Sequence, residues 1–253
     1  MGTSFRKSEI LDLARKDGRV EVDALAARFG VAVQTIRRDL GELAAEGKLA
    51  RVHGGAIFPT GVENIQYEVR RQLEAPAKAA IASAVAAEIQ PNTALFLNIG
   101  TTTEAVARAL VGHENITVIT NNIHVATILA ANPSCEIILT GGTLRRADGG
   151  LVGDLAIESV RQFKVDFAVI GCSAIDGDGD LLDFDLQEVR VSKAILAQAR
   201  SKLLVADASK FARSAPARIA SLAEVDAVFT NGMPAPLVEA CARWGTRMVE
   251  AGG

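Results

Sequence analysis

Between Val22 and Leu43 the apolar positions fall twice into helical register, with one glycine between the two runs. Val22, Leu25, Ala26 and Phe29 make the first stripe. Val33, Ile36, Leu40 and Leu43 make the second, at i, i+3, i+7 and i+10. The spacing predicts two short helices turning at Gly30, and it leaves Gln34, Thr35, Arg37 and Arg38 opposite the second stripe. Arg6 to Lys16, apolar at Ile10, Leu11, Leu13 and Ala14, predicts a third helix that completes a small core. Leu49 to Ala56 contains Arg51, His53 and two glycines and predicts a β-hairpin, the wing of a winged helix-turn-helix. Paired arginines on an amphipathic helix are more often a solvated face. Here the third helix and the wing favour double-stranded DNA as the partner. Gln34 and Arg37 suit base edges, Thr35 and Arg38 suit phosphates, and Arg51 and His53 suit the backbone or minor groove.

The pattern breaks at Pro59-Thr60-Gly61-Val62-Glu63-Asn64, which reads as the start of a linker. Tyr67 to Leu73 is a candidate connecting helix, and Pro76 suits the first turn of another that runs to about Ile89. Beyond it, short apolar runs at residues 94–97, 117–119, 136–139, 167–170, 202–205 and 227–229 alternate with helical stretches at 104–111, 123–131 and 187–199. Apolar strands spaced by helices predict a mostly parallel sheet covered on both faces. The expected fold class is therefore α/β: a winged helix-turn-helix over 1–58, a linker over 59–75 and a doubly wound domain over 76–253.

Each apolar run ends in small or polar residues, among them Gly100-Thr101-Thr102-Thr103, Thr120-Asn121-Asn122, Thr140-Gly141-Gly142, Gly171-Cys172-Ser173 and Asp207-Ala208-Ser209-Lys210. Ligands of open α/β sheets bind outside the carboxyl ends of the strands, so this row of tips is a candidate crevice. Gly100 allows close backbone approach, and the amides after it open a helix whose positive end favours anions. A phosphate cradle is the expectation here. Thr101 and Glu104 also have the spacing of a capping box, which offers a purely structural account. GxxxxGK[ST] and GxGxxG are both absent, so a nucleotide site is unsupported. Asp176-Gly177-Asp178-Gly179-Asp180 matches only the opening of a calcium loop, and Gln187 stands where the closing carboxylate belongs; a glycine-rich turn is the expectation. Glu188 and Lys193 are either a solvated pair or face the crevice.

Composition narrows this further. The net charge of −3 excludes a nonspecific nucleic-acid coat, yet residues 1–55 carry ten Lys/Arg against eight Asp/Glu while the remainder carries 17 against 22. The basic groups gather where DNA is expected. Cys135, Cys172 and Cys241 form no metal spacing and are expected to be buried free thiols. No metal, cofactor or catalytic residue is assigned. The polar N-terminus and the absence of any long apolar run predict a cytoplasmic protein with no membrane partner.

These residues resemble the DeoR family of bacterial repressors. In the N-terminal part the resemblance is carried by Arg6, Ile10, Ala32, Thr35-Ile36-Arg37-Arg38-Asp39-Leu40 and His53-Gly54-Gly55-Ala56. In the rest it is carried by Asn98-Ile99-Gly100-Thr101-Thr102, Thr120-Asn121-Asn122, Gly141-Gly142 and Asp207-Ala208-Ser209-Lys210-Phe211. It covers essentially the whole chain, with one departure at Ala14, where the family has a larger aliphatic side chain. The resemblance implies an effector domain like that of sugar-phosphate isomerases, turned into a sensor of a small phosphorylated metabolite, with glycerol 3-phosphate favoured. It implies phosphate at Gly100, Thr101, Thr102 and Thr103, a polyol surrounded by Asn121, Asn122, Gly141 and Gly142, and further bonds from Asp176, Glu188, Lys193 and Lys210. A homodimer or homotetramer on a palindromic operator is implied as well. The alternatives are a regulator of another sugar-phosphate pathway, and an isomerase using Glu188 and Lys193.

Overall fold

The computed structural model describes residues 3–17, 19–45, 48–52, 54–57 and 67–252, and the chain divides into two units, Met1–Leu73 and Glu74–Gly253. In the first unit, α1 (Thr3–Asp17), α2 (Val22–Phe29) and α3 (Val33–Ala45) form where the apolar stripes place them. Ile10, Leu25, Ile36, Leu40 and Leu43 are buried together, so the stripes face one another. Ala14, the departure from the family pattern, is fully buried in the same core. Gly30 caps α2 in the left-handed conformation, at φ 63°, and turns the chain into α3. The predicted hairpin is β2 (Ala50–Val52) with β3 (Gly55–Ile57). It gains a strand that the pattern does not announce, β1 (Arg19–Glu21), to give the antiparallel order β1-β3-β2. The predicted connecting helix is α4 (Tyr67–Gln72); the break at Pro59–Asn64 lies outside the described residues.

In the second unit, Pro76 lies in the first turn of α5 (Ala75–Ala86). The six apolar runs become β4 (Ala94–Leu97), β5 (Ile116–Thr120), β6 (Cys135–Leu139), β9 (Val165–Ile170), β12 (Ala199–Val205) and β14 (Ala227–Thr230). With β15 (Arg247–Glu250) they form one parallel sheet in the order β15-β14-β12-β9-β4-β5-β6. Alternate strand residues serve opposite faces. Leu95, Leu97, Val118 and Phe229 pack under α5, α6 (Thr101–Ala109) and α7 (Ile123–Leu129). Phe96, Ile119, Leu204 and Val228 pack under α8 (Asp154–Arg161), α9 (Leu186–Ala197) and α10 (Ala235–Trp244).

Three further pieces decorate the carboxyl edge of the sheet. They are a hairpin of β7 (Thr143–Arg145) and β8 (Gly150–Val152), a small sheet of β10 (Ala174–Ile175), β11 (Asp180–Asp183) and β13 (Ala217–Ser221), and a 3-10 turn over Ala208–Ala212. The chain leaves β4 for β5 and β6 on one side, and β9, β12, β14 and β15 lie on the other. The strand order therefore reverses between β4 and β9, where the crevice of such a sheet opens.

Candidate DNA-recognition face and effector crevice

On α3, Ile36, Leu40 and Leu43 are buried, Thr35 is half-buried, and Gln34, Arg37 and Arg38 are exposed. The predicted contact face is thus a solvent face. The Arg38 side chain is 83% exposed, and its Nε donates to Glu42 one turn on at 3.0 Å, while Lys7 holds the other oxygen of that carboxylate. Lys7 first, and Arg38 second, pull the Glu42 carboxyl below its ordinary range. Arg51 has a structural bond as well as an exposed position: its Nη1 donates to the Arg37 carbonyl at 2.7 Å, tying β2 to α3. Asp39, between the basic pair and Leu40, points inward and takes the Arg6 guanidinium at 2.5 Å, so α1 and α3 share a buried ion pair. His53 lies outside the described residues.

In the second unit the sequence-predicted residues divide into those the crevice gathers and those it does not. Gly100 is the N-cap of α6 at φ 150°, a conformation that favours glycine, and it contributes no side-chain cap. The predicted capping box is therefore absent: Thr101 is already the first helical residue and cannot cap. The first-turn amides of α6 consequently lack intrahelical partners. Thr101 and Thr102 are buried there, whereas the Thr103 hydroxyl is taken up by the Asn98 and Gly100 carbonyls, both at 2.7 Å. Thr103 shapes the loop.

Asn121 and Asn122 follow β5. Asn121 Nδ2 donates to the Leu151 carbonyl at 3.2 Å, and Asn122 Oδ1 caps α7 by accepting from the His124 amide at 2.9 Å. Each backbone partner fixes which way its amide points. The atoms left over, Asn121 Oδ1 and Asn122 Nδ2, are buried without a hydrogen-bond partner among the described residues, as is Thr140 Oγ1 at the end of β6. A buried polar atom left unpaired costs about 1–3 kcal/mol, so the β5 and β6 tips are places where the fold bears a polar cost. Gly141 and Gly142 are required by packing. A Cβ on Gly141 would lie 2.9 Å from Leu155, and one on Gly142 (φ 130°) would lie 2.7 Å from the Val152 carbonyl. They let β8 and α8 close onto the tip of β6.

The hairpin is latched by a residue that sequence reasoning passed over. Arg145 forks onto Asp148 at 2.9 and 2.5 Å, reaches Asp185 at 2.6 Å, and also bonds Glu188 in the first turn of α9. Burial, then the neighbouring Asp183, pushes the Glu188 carboxyl up to about 7 against the pull of Arg145. Asp183 in turn accepts from Ser173 beyond β9 at 3.1 Å. Of the two alternatives the sequence left open, the bonds to Arg145 and the burial favour Glu188 facing inward. Its supposed partner does not face inward. Lys193 is exposed and lines a groove of about 550 Å3 with Asp154, Arg161 and Arg190 between α8 and α9. Five residues is not a whole number of turns, so the two side chains diverge, and the acid–lysine pair an isomerase would need is not assembled. Asp176 has a structural bond of its own. Its Oδ1 accepts from the Asp178 and Asp180 amides at 3.1 and 2.9 Å, closing the β10–β11 turn. That is the glycine-rich turn the pattern suggested.

Lys210 is buried behind β12, close to Asp207. Burial would raise the Asp207 carboxyl, but Lys210, the Ser209 hydroxyl and Lys78 together hold it below its ordinary range. Lys78 was missed. Its signal is a lone lysine in the alanine-rich first turn of α5, where it is 4% exposed. Cys172 is buried, and burial pushes its thiol up to about 12, so it stays protonated. Cys241 is buried too; Cys135 departs from expectation, being only half-buried on the edge strand β6.

A winged helix-turn-helix whose second helix presents Gln34, Arg37 and Arg38 to solvent, joined to an α/β unit with polar strand tips, is the organisation of a ligand-responsive DNA-binding regulator. The comparisons with known proteins agree. Residues 6–62 match the DeoR-like helix-turn-helix domain and residues 73–232 the DeoR C terminal sensor domain, and the chain belongs to the DeoR family. It is 42% identical to the glycerol-3-phosphate regulon repressor of Haemophilus influenzae, over all of this chain and 99% of that one. It is 43% identical to the Escherichia coli protein of the same name, over 92% and 93% of the two chains. The HTH-type transcriptional repressor CsqR of Escherichia coli is 41% identical over 90% and 88%. These relatives are named as repressors, not as enzymes. Among solved structures, ribose 5-phosphate isomerase A of Neisseria gonorrhoeae covers 54% of this chain and 53% of its own at 13% identity and a TM-score of 0.39, too distant to bear on function.

Proposed function

We propose that this chain is a transcriptional repressor of glycerol-3-phosphate catabolism genes, released from its operator by glycerol 3-phosphate. The observation that carries the reading is the solvent face of α3, where Gln34, Arg37 and Arg38 stand clear of a core that holds the helix rigidly. The chemistry of the crevice supports a phosphorylated effector. Uncapped amides at Gly100–Thr102 and the buried lysines Lys78 and Lys210 favour an anion, and the unpaired atoms at Asn121 and Asn122 favour a polar skeleton. The names of the Haemophilus influenzae and Escherichia coli relatives point to glycerol 3-phosphate. Two copies, as a dimer or within a tetramer, would place two α3 helices on the half-sites of a palindrome.

The test is a titration of the full chain against the promoter region beside its own gene, with and without glycerol 3-phosphate. Inorganic phosphate and fructose 6-phosphate at equal ionic strength are the controls, because salt alone weakens such binding steeply. Selective release by glycerol 3-phosphate is expected. Release by fructose 6-phosphate alone would make the chain a regulator of another sugar-phosphate pathway. Absence of operator binding would overturn the repressor reading.

A further inference from the structure

Four of the five large apolar side chains that stand exposed among the described residues lie around the starts of α8 and α9. Leu155 and Leu186 are in the first turns of those helices, and with Leu139 on β6 and Leu144 on β7 they are between 45% and 68% exposed. A Cβ on Gly141, two residues beyond Leu139, would touch Leu155; Arg145, next to Leu144, bonds Asp185, next to Leu186. These links bring the four leucines to one region of the surface. Apolar side chains gathered in this way mark a binding surface.

From that end the groove between α8 and α9 runs along both helices. Asp154 at the start of α8 takes the Arg190 guanidinium, one turn into α9, at 2.9 Å. Arg161 and Ala197, the last residues of the two helices, line the groove as well, so the helices run side by side in one direction. The α8 ridge carries Asp154 and Glu158 at i and i+4 before Arg161 ends it. The α9 ridge carries Leu186, Arg190 and Lys193 at i, i+4 and i+7. The Glu158 carboxylate and the Lys193 ammonium have no partner among the described residues.

Two ridges of opposite charge make a face complementary to itself. A two-fold axis along the groove lays α8 of each copy over α9 of the other, running the same way, and sets Glu158 against Lys193 twice. An axis across the groove would set each of them against its own kind. A partner of a single charge, such as nucleic acid, would be repelled by one ridge.

We propose that the α8–α9 face, with the leucines at its end, is the two-fold interface between copies of this chain, its register set by Glu158 and Lys193 across the axis. This rests on the reading of the protein as a repressor that needs two copies on a palindrome. Lys193, which the effector crevice does not gather, has its role here.

The experiment is sedimentation equilibrium on the full chain, on Glu158→Lys and on Lys193→Glu, each alone and the two variants mixed. The wild-type chain is expected to self-associate. Each single reversal puts like charges at both symmetry-related contacts and is expected to raise the subunit Kd at least about tenfold. Mixing the two variants in equal amounts should restore association at about the wild-type Kd, because every contact in the mixed pair joins opposite charges. A folding defect cannot give that recovery, since two misfolded chains do not mend each other on mixing. An unchanged Kd for the single reversals, or no recovery in the mixture, would overturn the proposal. A wild-type chain that stays monomeric would leave the face to another occupant and overturn it as well. An operator titration separates this failure from failure of the repressor reading. Variants that bind operator as tightly as the wild-type chain keep the reading and remove the interface, whereas a chain that associates as expected but binds no operator keeps the interface and removes the reading.

Discussion

At the scale of single residues, adjacent side chains on one helix have separable jobs. Arg38 is exposed and, among the described residues, is held by Glu42 alone, so it can be drawn to DNA at little structural expense. Arg38→Ala should weaken operator binding by about 1–3 kcal/mol and leave effector affinity unchanged, measured by anisotropy titration at fixed salt. Asp39 is the contrast: it is the buried partner of Arg6, and its neighbourhood to the arginines in sequence does not make it a contact. Glu188 offers a prediction in pH. Its folded pKa of about 7 lies above the ordinary carboxylate range, so the folded state holds a proton that the unfolded chain has already released. That contribution to stability is complete below about pH 4.5 and is lost as pH rises through 7. Glu188→Gln should therefore flatten the fall in stability of this unit between pH 5 and 7.5, as followed by denaturant melts; an unchanged slope would place the titration elsewhere. The exposed face of α3 was legible from periodicity because one stripe of apolar residues fixes the opposite one. Arg145 and Lys78 were not, since a buried cation looks like any surface cation until the fold gathers its partners.

At the scale of elements, the six apolar runs announced six strands of the sheet, because buried parallel strands carry apolar residues on both faces. The seventh, β15, is an edge strand whose Arg247 and Glu250 interrupt the run, and β7, β8, β10, β11 and β13 are too short or too polar to show a period. The glycines at the β6 tip were legible as a motif, and their packing role became visible only in the fold. Gly142 is required by its φ of 130° and by the Val152 carbonyl, which a Cβ would approach to 2.7 Å. Gly142→Ala should displace the β7–β8 hairpin, with strain of order 1–3 kcal/mol. The expected outcome is a lower Tm for the second unit and a blunted effector response, while operator binding without effector persists. The loop before α6 behaves similarly. Thr103→Ala removes a hydroxyl that serves two carbonyls, so it should loosen the cradle, whereas Thr102→Ala should weaken effector binding without a comparable loss of stability. Calorimetry and thermal scans on the two variants separate those outcomes.

At the scale of the whole molecule, the two units carry different halves of one equilibrium, and thermodynamics binds the halves together whatever path connects them. If glycerol 3-phosphate weakens operator binding by some factor, operator DNA must weaken glycerol 3-phosphate binding by the same factor, because the two routes around the cycle share their end states. Typical couplings of about 1–3 kcal/mol correspond to factors of roughly 5 to 150, large enough to measure from both sides. The expected result is that the effector Kd, determined by calorimetry with and without saturating operator, rises by the factor by which the operator Kd rises when effector is saturating. The single-unit variants sharpen the test. Arg38→Ala lowers operator affinity through a contact on α3, so it should shift one edge of the cycle and leave the factor intact. A hairpin variant such as Gly142→Ala should shrink the factor itself, because it alters the differential affinity by which a ligand moves a two-state equilibrium. Unequal factors in the wild-type chain at constant protein concentration would mean that a third equilibrium, such as subunit association, takes part in the response, and repeating both titrations over a range of concentrations would expose it.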